Sequence, residues 1–164
     1  MKSGLERLLK NLKSYNPAKL IEDIVGQKLD YVTKLQKDQL NAGLDGDGNK
    51  FGLKYSQDPY FKTPAAGRRY GAWKMAMNKG TSNLFPVRDV DTPNLSINGN
   101  LFHNRIISRT GSGKLIINAD SPIMSKLETK YGKVLGLSPQ AINIMLDAFL
   151  MDEFKRLTLE HWKQ

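Results

Sequence analysis

The amino-acid sequence predicts an α+β fold, with N- and C-terminal helices packed on a small antiparallel β-sheet and a long irregular arm in the middle. Three observations predict it. Apolar residues recur at helical spacing at both ends, over 1–42 and 120–164. Short apolar runs broken by Gly- and Asn-rich turns occupy 95–119, the pattern of a β-hairpin region. Neither period holds across 43–94. With 164 residues, 40% of them hydrophobic, the chain is expected to form a single domain, 1–164, with a modest core.

At the N-terminus, Leu5, Leu8, Leu9 and Leu12 make an apolar stripe. Asn16 is placed to cap a second helix with Pro17 at its first position, because proline's fixed φ suits that site and its missing N–H is not needed there. From Leu20, Ile21, Ile24 and Val25 through Leu29, Val32, Leu35 and Leu40 the helical period persists, predicting one long amphipathic helix that ends near Asn41 to Gly43. Gly26 lies within it, at a cost of about 1 kcal/mol relative to Ala.

The arm holds Pro59, Pro64, Pro86 and Pro93, and one short helical candidate from Arg69 to Asn78. Six of the fourteen aromatic residues fall between Phe51 and Trp73: Phe51, Tyr55, Tyr60, Phe61, Tyr70 and Trp73. Disordered segments are poor in aromatics, so this arm is expected to be ordered against another chain, with those six residues at the subunit interface.

Beyond the arm, Leu95–Ile97 is a strand candidate followed by the turn Asn98-Gly99-Asn100. Leu101–Ser108 and Lys114–Asn118 then flank the loop Arg109–Gly113. Its TGSGK is not a nucleotide-binding loop, because Ser108 stands where Gly is required and Leu115 where Ser or Thr is required. Asp120-Ser121-Pro122 opens a short helix running to about Lys130, closed by Tyr131-Gly132. Ser138 and Pro139 start the last helix, with Ile142, Met145, Phe149, Leu157 and Trp162 as core positions.

Composition narrows the function classes. The absence of Cys excludes disulfides, thiolate metal sites and cysteine nucleophiles. No apolar run reaches the length of a membrane span and no signal-peptide core follows Met1, so an intracellular place of synthesis and no membrane partner are expected. Net charge is +9, and it is unevenly spread. Residues 120–164 carry six basic and six acidic side chains, whereas 50–80 carry seven basic ones (Lys50, Lys54, Lys62, Arg68, Arg69, Lys74, Lys79) against Asp58 alone. Such a patch suits a polyanion or an acidic protein surface, and Lys62, Arg68, Arg69 and Lys74 are its candidate DNA-facing residues.

Candidate chemistry is sparse. Asp45, Asp47 and Asn49 alternate as at the start of an EF-hand loop, but Lys50 falls at the sixth position, where Gly is needed, and Ser56 at the twelfth, where a bidentate Glu is needed. The expectation is a turn without a metal. His103 on a predicted strand reads as structural and His161 as a solvated residue at a helix end. No nucleophile elbow, HExxH or paired His–carboxylate spacing occurs, so no catalytic residue, metal or cofactor is expected.

Four stretches together carry a resemblance. They are the turn Gly43-Leu44-Asp45-Gly46-Asp47-Gly48 after the N-terminal helices, the Tyr- and Lys-containing arm, Asn98-Gly99-Asn100-Leu101-Phe102-His103-Asn104-Arg105-Ile106 before the hairpin, and the close from Tyr131 to Ser138, a Y-G-x-x-x-G-L-[ST] pattern. In these the chain resembles tail-completion and head–tail neck proteins of tailed bacteriophages, the type found in phages of Bacteroidetes hosts. Asn98 replaces the usual Thr and Arg105 the usual Ser. The resemblance implies a structural virion protein without an active site, made in the host cytoplasm and assembled as a homo-oligomeric ring between portal and tail. Its partners would be the portal, neighbouring neck or tail proteins and the DNA passing through. The alternatives are a non-specific DNA-binding accessory protein, separable by the salt dependence of its binding, and a metal-dependent enzyme, separable by activity and metal content.

Overall fold

Asn16 and Pro17 make the first corner of the chain, as their order predicts: the Asn16 side chain accepts a hydrogen bond from Lys19 N at 3.0 Å. The computed structural model describes residues 4–77, 84–95, 105–110, 114–119 and 122–163. Around that corner lie α1 (Gly4–Ser14) and α2 (Pro17–Gly26), followed by α3 (Leu29–Asn41). The single long helix expected over this region is thus two. The break follows Gly26, where Gln27 N turns to Asp23 O and Ile24 O, and it lets Ile24 and Val25 of α2 and Val32 and Leu35 of α3 enter one core.

Next come a 3-10 turn (Tyr55–Gln57) and α4 (Pro64–Met77), then a two-stranded antiparallel sheet of β1 (Arg105–Arg109) and β2 (Leu115–Ala119) with Ile107 opposite Ile117. Burial alternates along β2, so Leu115, Ile117 and Ala119 face inward while Ile116 and Asn118 face solvent. The predicted strand at 95–97 and the turn and motif residues 98–104 lie outside the described residues, except Leu95.

The C-terminal part holds α5 (Met124–Tyr131), α6 (Pro139–Met145), a π-helical turn (Leu146–Leu150) and α7 (Met151–Lys163). Gly132, at φ +78, ends α5, and Ser138 caps α6 by accepting from Ala141 N. α6, the π turn and α7 run on without interruption. The wider turn shifts the apolar register, and Leu150 is buried there while Phe149 meets Tyr31 edge-on at 5.5 Å. Of the expected core positions, Met145 is buried and Phe149 and Leu157 are half-buried, but Ile142 and Trp162 are exposed. The fold is therefore α+β, with α2, α3, α6 and α7 and the inner face of the sheet sharing one core.

A second apolar cluster, Leu40, Phe51, Met124 and Val134, joins the end of α3 to α5. Between the two clusters sits Gln39, with no exposed surface. Its Nε2 donates to Asp45 O at 2.6 Å and Gly136 O at 3.2 Å, and its Oε1 accepts from Ser138 N at 2.8 Å.

That knot brings together the Asp45 turn and the 131–138 segment. Asp45 Oδ1 accepts from Asp47 N and Asn49 N at 2.9 and 2.8 Å, and Asp47 pairs with Lys133 at 2.6 Å. Gly46 N donates to Lys133 O, and a Cβ at Gly46 would stand 2.3 Å from Leu135 O, so only glycine fits there. The alternating acids thus shape a turn and fasten it. Calorimetry is expected to show no micromolar calcium binding. Asp47→Ala, which removes an exposed ion pair, should cost under about 1 kcal/mol in a urea titration.

Candidate functional site

Thr63 and Pro64 start α4 in the same manner as the other two Pro-initiated helices, with Thr63 Oγ1 accepting from Ala66 N at 3.2 Å. The helix therefore begins five residues before the expected Arg69, and the Thr-Pro pair is the signal that the sequence reading passed over. Asn78, its expected end, lies outside the described residues.

Two glycines decide how α4 docks. A Cβ at Gly67 would lie 2.1 Å from Tyr55 O, and one at Gly71 would lie 1.9 Å from Val90 O. The backbone of the 3-10 turn and of the returning segment 84–95 therefore rests directly on the helix. Gly71→Ala is expected to destabilise the chain by roughly 2–3 kcal/mol, because the opposing atom is backbone and cannot rotate away; thermal unfolding would check this.

The arm thus covers much of itself, which corrects the expectation for two of the six rings placed at a subunit interface. Tyr55 is buried, its hydroxyl accepting from Asn94 N at 3.2 Å, and Ser56 N donates to Asp91 Oδ1 at 2.8 Å. Phe51 is buried in the second cluster, with its ring 5.3 Å from Tyr131. Neither Phe51 nor Tyr55 is available as an interface residue.

Lys74 is corrected as well. It follows Gly67 and Gly71 at helical spacing on the docked face, is 3% exposed, and donates from Nζ to Asn94 O at 2.6 Å. The Tyr55 and Tyr70 rings each lie 5.8 Å from its nitrogen. Lys74 therefore does not face a ligand. Burial, reinforced by the nearby Arg88 guanidinium, lowers its pKa from 10.5 to about 7. Arg88 is itself buried and donates to Thr92 O at 2.8 Å, while its Nη2 and the Nδ2 of Asn94 find no acceptor among the described residues. This interior is rich in donors, which disfavours a further positive charge.

What remains outside is a run of rings and cations. Ring centroids follow one another from Tyr60 to Phe61 (5.2 Å), Phe61 to Tyr70 (5.1 Å) and Tyr70 to Trp73 (5.5 Å). The run is rooted on buried Tyr55, which Tyr70 meets edge-on at 5.2 Å. Tyr60 is 83% exposed and Trp73 50%, while Phe61 and Tyr70 are half-buried. Lys62, Arg68 and Arg69 are all exposed. Arg69 and Trp73, one helical turn apart, lie on the side of α4 opposite its glycines. Asp58 anchors the start of the run. Burial raises its carboxyl pKa, but the bond from Lys130 at 2.5 Å and that from Tyr60 N outweigh this and hold it below the usual value.

A second uncovered surface lies where the two ends of the chain meet. His161, expected in solvent, is half-buried, its Nε2 3.0 Å from Asn11 O and its ring 5.3 Å from Tyr15. It ties α7 to α1. No residue of α7 is buried, and Leu9, Leu12, Leu159 and Trp162 are exposed by 48%, 54%, 60% and 38%. His103 lies outside the described residues. Among the described residues no three His, Asp or Glu side chains gather as a metal site would require.

No family model matches the chain, and no characterised protein or solved structure is significantly similar to it.

Proposed function

We propose that the chain is a structural virion protein of a tailed phage, part of the neck or tail ring between portal and tail. The observation that carries this reading is the uncovered apolar surface of α1 and α7. Leu9 and Leu12 lie on a strongly amphipathic helix whose apolar side finds too little cover in the single chain. Exposed apolar surface of this kind marks contact sites, and a second subunit would supply the missing cover. The resemblance to neck proteins agrees with the packing of two of its motifs. The Gly43–Gly48 turn and the Tyr131–Ser138 close meet around Gln39, and their glycines and acids serve the fold rather than a reaction.

In this reading the chain forms a homo-oligomeric ring with the portal and neighbouring neck or tail proteins as partners. Of the candidate interface residues, Tyr60, Phe61, Tyr70 and Trp73 retain exposed surface, but the subunit contact proposed here runs through α1 and α7 and does not require them. The test is the mass of the native assembly. A closed oligomer is expected at micromolar concentration, and the double variant Leu12→Glu/Leu159→Glu should be monomeric with its thermal transition kept. A wild-type chain that stays monomeric across the concentration range would overturn the proposal.

A further inference from the structure

We infer that the outer face of the arm binds single-stranded nucleic acid without sequence preference, with bases stacking on Tyr60 and Trp73 and phosphates held by Lys62, Arg68 and Arg69. The inference goes beyond the ring reading and does not depend on it.

The first argument is the rings. Tyr60 is 83% exposed, and Trp73 shows half its surface. Both belong to a run whose inner members are fixed against Tyr55, so they are presented rather than loose. Stacking on a held ring loses little conformational freedom, and every base offers a face.

The second argument is charge. From Pro59 to Met77 the sequence has no acidic residue. Among the described residues, no carboxylate pairs with Lys62, Arg68 or Arg69. The acids nearest in the arm are engaged elsewhere: Asp58 with Lys130 and Tyr60 N, Asp89 with Thr92, and Asp91 with Ser56. The cations are therefore free for an anionic ligand.

The third is surface relief. Ala65, Ala72 and Ala76 are exposed on the strip of α4 between Arg68 and Arg69, leaving a low track along which a backbone can lie. Unpaired strands fit better than a duplex, because duplex bases are already stacked and do not offer their faces to Tyr60 and Trp73.

The test uses the full chain and a fluorescently labelled oligothymidylate, followed by anisotropy. Binding is expected at 50 mM salt and should weaken about 20-fold by 200 mM, the loss for three phosphate contacts on a single strand. Tyr60→Ala, a change at a largely exposed side chain, should weaken binding roughly 5- to 150-fold, the range for loss of one stacking partner. Exchanging Lys62, Arg68 and Arg69 for Gln should flatten the salt dependence. A duplex of equal length should bind at least about tenfold more weakly.

Three outcomes would overturn the inference. One is no binding at 50 mM salt. Another is equal affinity for duplex and single strand with Tyr60→Ala silent, which leaves charge attraction alone. The third is shielding of Trp73 from a neutral quencher on self-assembly without oligonucleotide, read in a Trp162→Phe background, which assigns the face to a protein contact. The Leu12→Glu/Leu159→Glu variant separates the two proposals, since it disrupts the ring and leaves this face intact.

Discussion

Replacing Gln39 by Met is expected to destabilise the protein by about 3 kcal/mol or more, the largest effect of any single polar substitution proposed for this chain. Methionine fills a similar volume, so the loss falls on hydrogen bonds rather than on packing. Three groups lose their partner at once: Ser138 N, which is buried, and Asp45 O and Gly136 O, which are partly buried. Each orphaned buried group costs roughly 1–3 kcal/mol. Ser138 is also the cap of α6, so the start of that helix loosens as well. Urea unfolding should show a lower midpoint with an unchanged slope. A shift worth less than about 1 kcal/mol would mean that the turn and the 131–138 segment hold together without Gln39.

The second large effect is a stability that rises with pH above neutrality, traced to Lys74. Its pKa is about 7 in the folded chain and near 10.5 when unfolded. Between those values the unfolded chain binds the extra proton, so stability increases as pH rises from 7 and is at its lowest level, for this group, below 7. The slope approaches about 1.4 kcal/mol per pH unit, so the whole span is on the order of 5 kcal/mol. Tyr55 and Tyr131 act oppositely at the upper end. Burial pushes each from 10.0 up to about 12, so the unfolded chain ionises first and stability falls again above pH 10. The useful window is therefore pH 7 to 9.5. Denaturant midpoints should climb across it in the wild type and stay nearly level in Lys74→Met, which has no proton to lose. Parallel profiles for the two proteins would mean that Lys74 stays charged in the folded state.

The sequence by itself determined the features whose causes lie within a few residues. Asn16-Pro17 and Ser138-Pro139 start helices because a side-chain acceptor and a fixed φ act on the next turn. Thr63-Pro64 carries the same signal and was legible in the same terms. The hairpin of β1 and β2 and the metal-like turn at Asp45 are local in the same sense, the turn because Asp45 bonds N–H groups two and four residues on. The α+β class followed from those periods.

Only the tertiary structure decided which arm residues face inward. Tyr55 is buried because Asn94, 39 positions away, meets its hydroxyl, and Lys74 because Asn94 lies 20 positions away at its Nζ. Phe51 is covered by Tyr131, and His161 is drawn to Asn11 across 150 positions. Composition marked all six aromatics and all four cations alike. The close approach permitted by Gly67 and Gly71 is what sorted them, leaving Tyr60, Trp73, Lys62, Arg68 and Arg69 outside. Capping and turn bonds reach only a few residues and can be read along the chain, whereas burial depends on which distant backbone a glycine face admits.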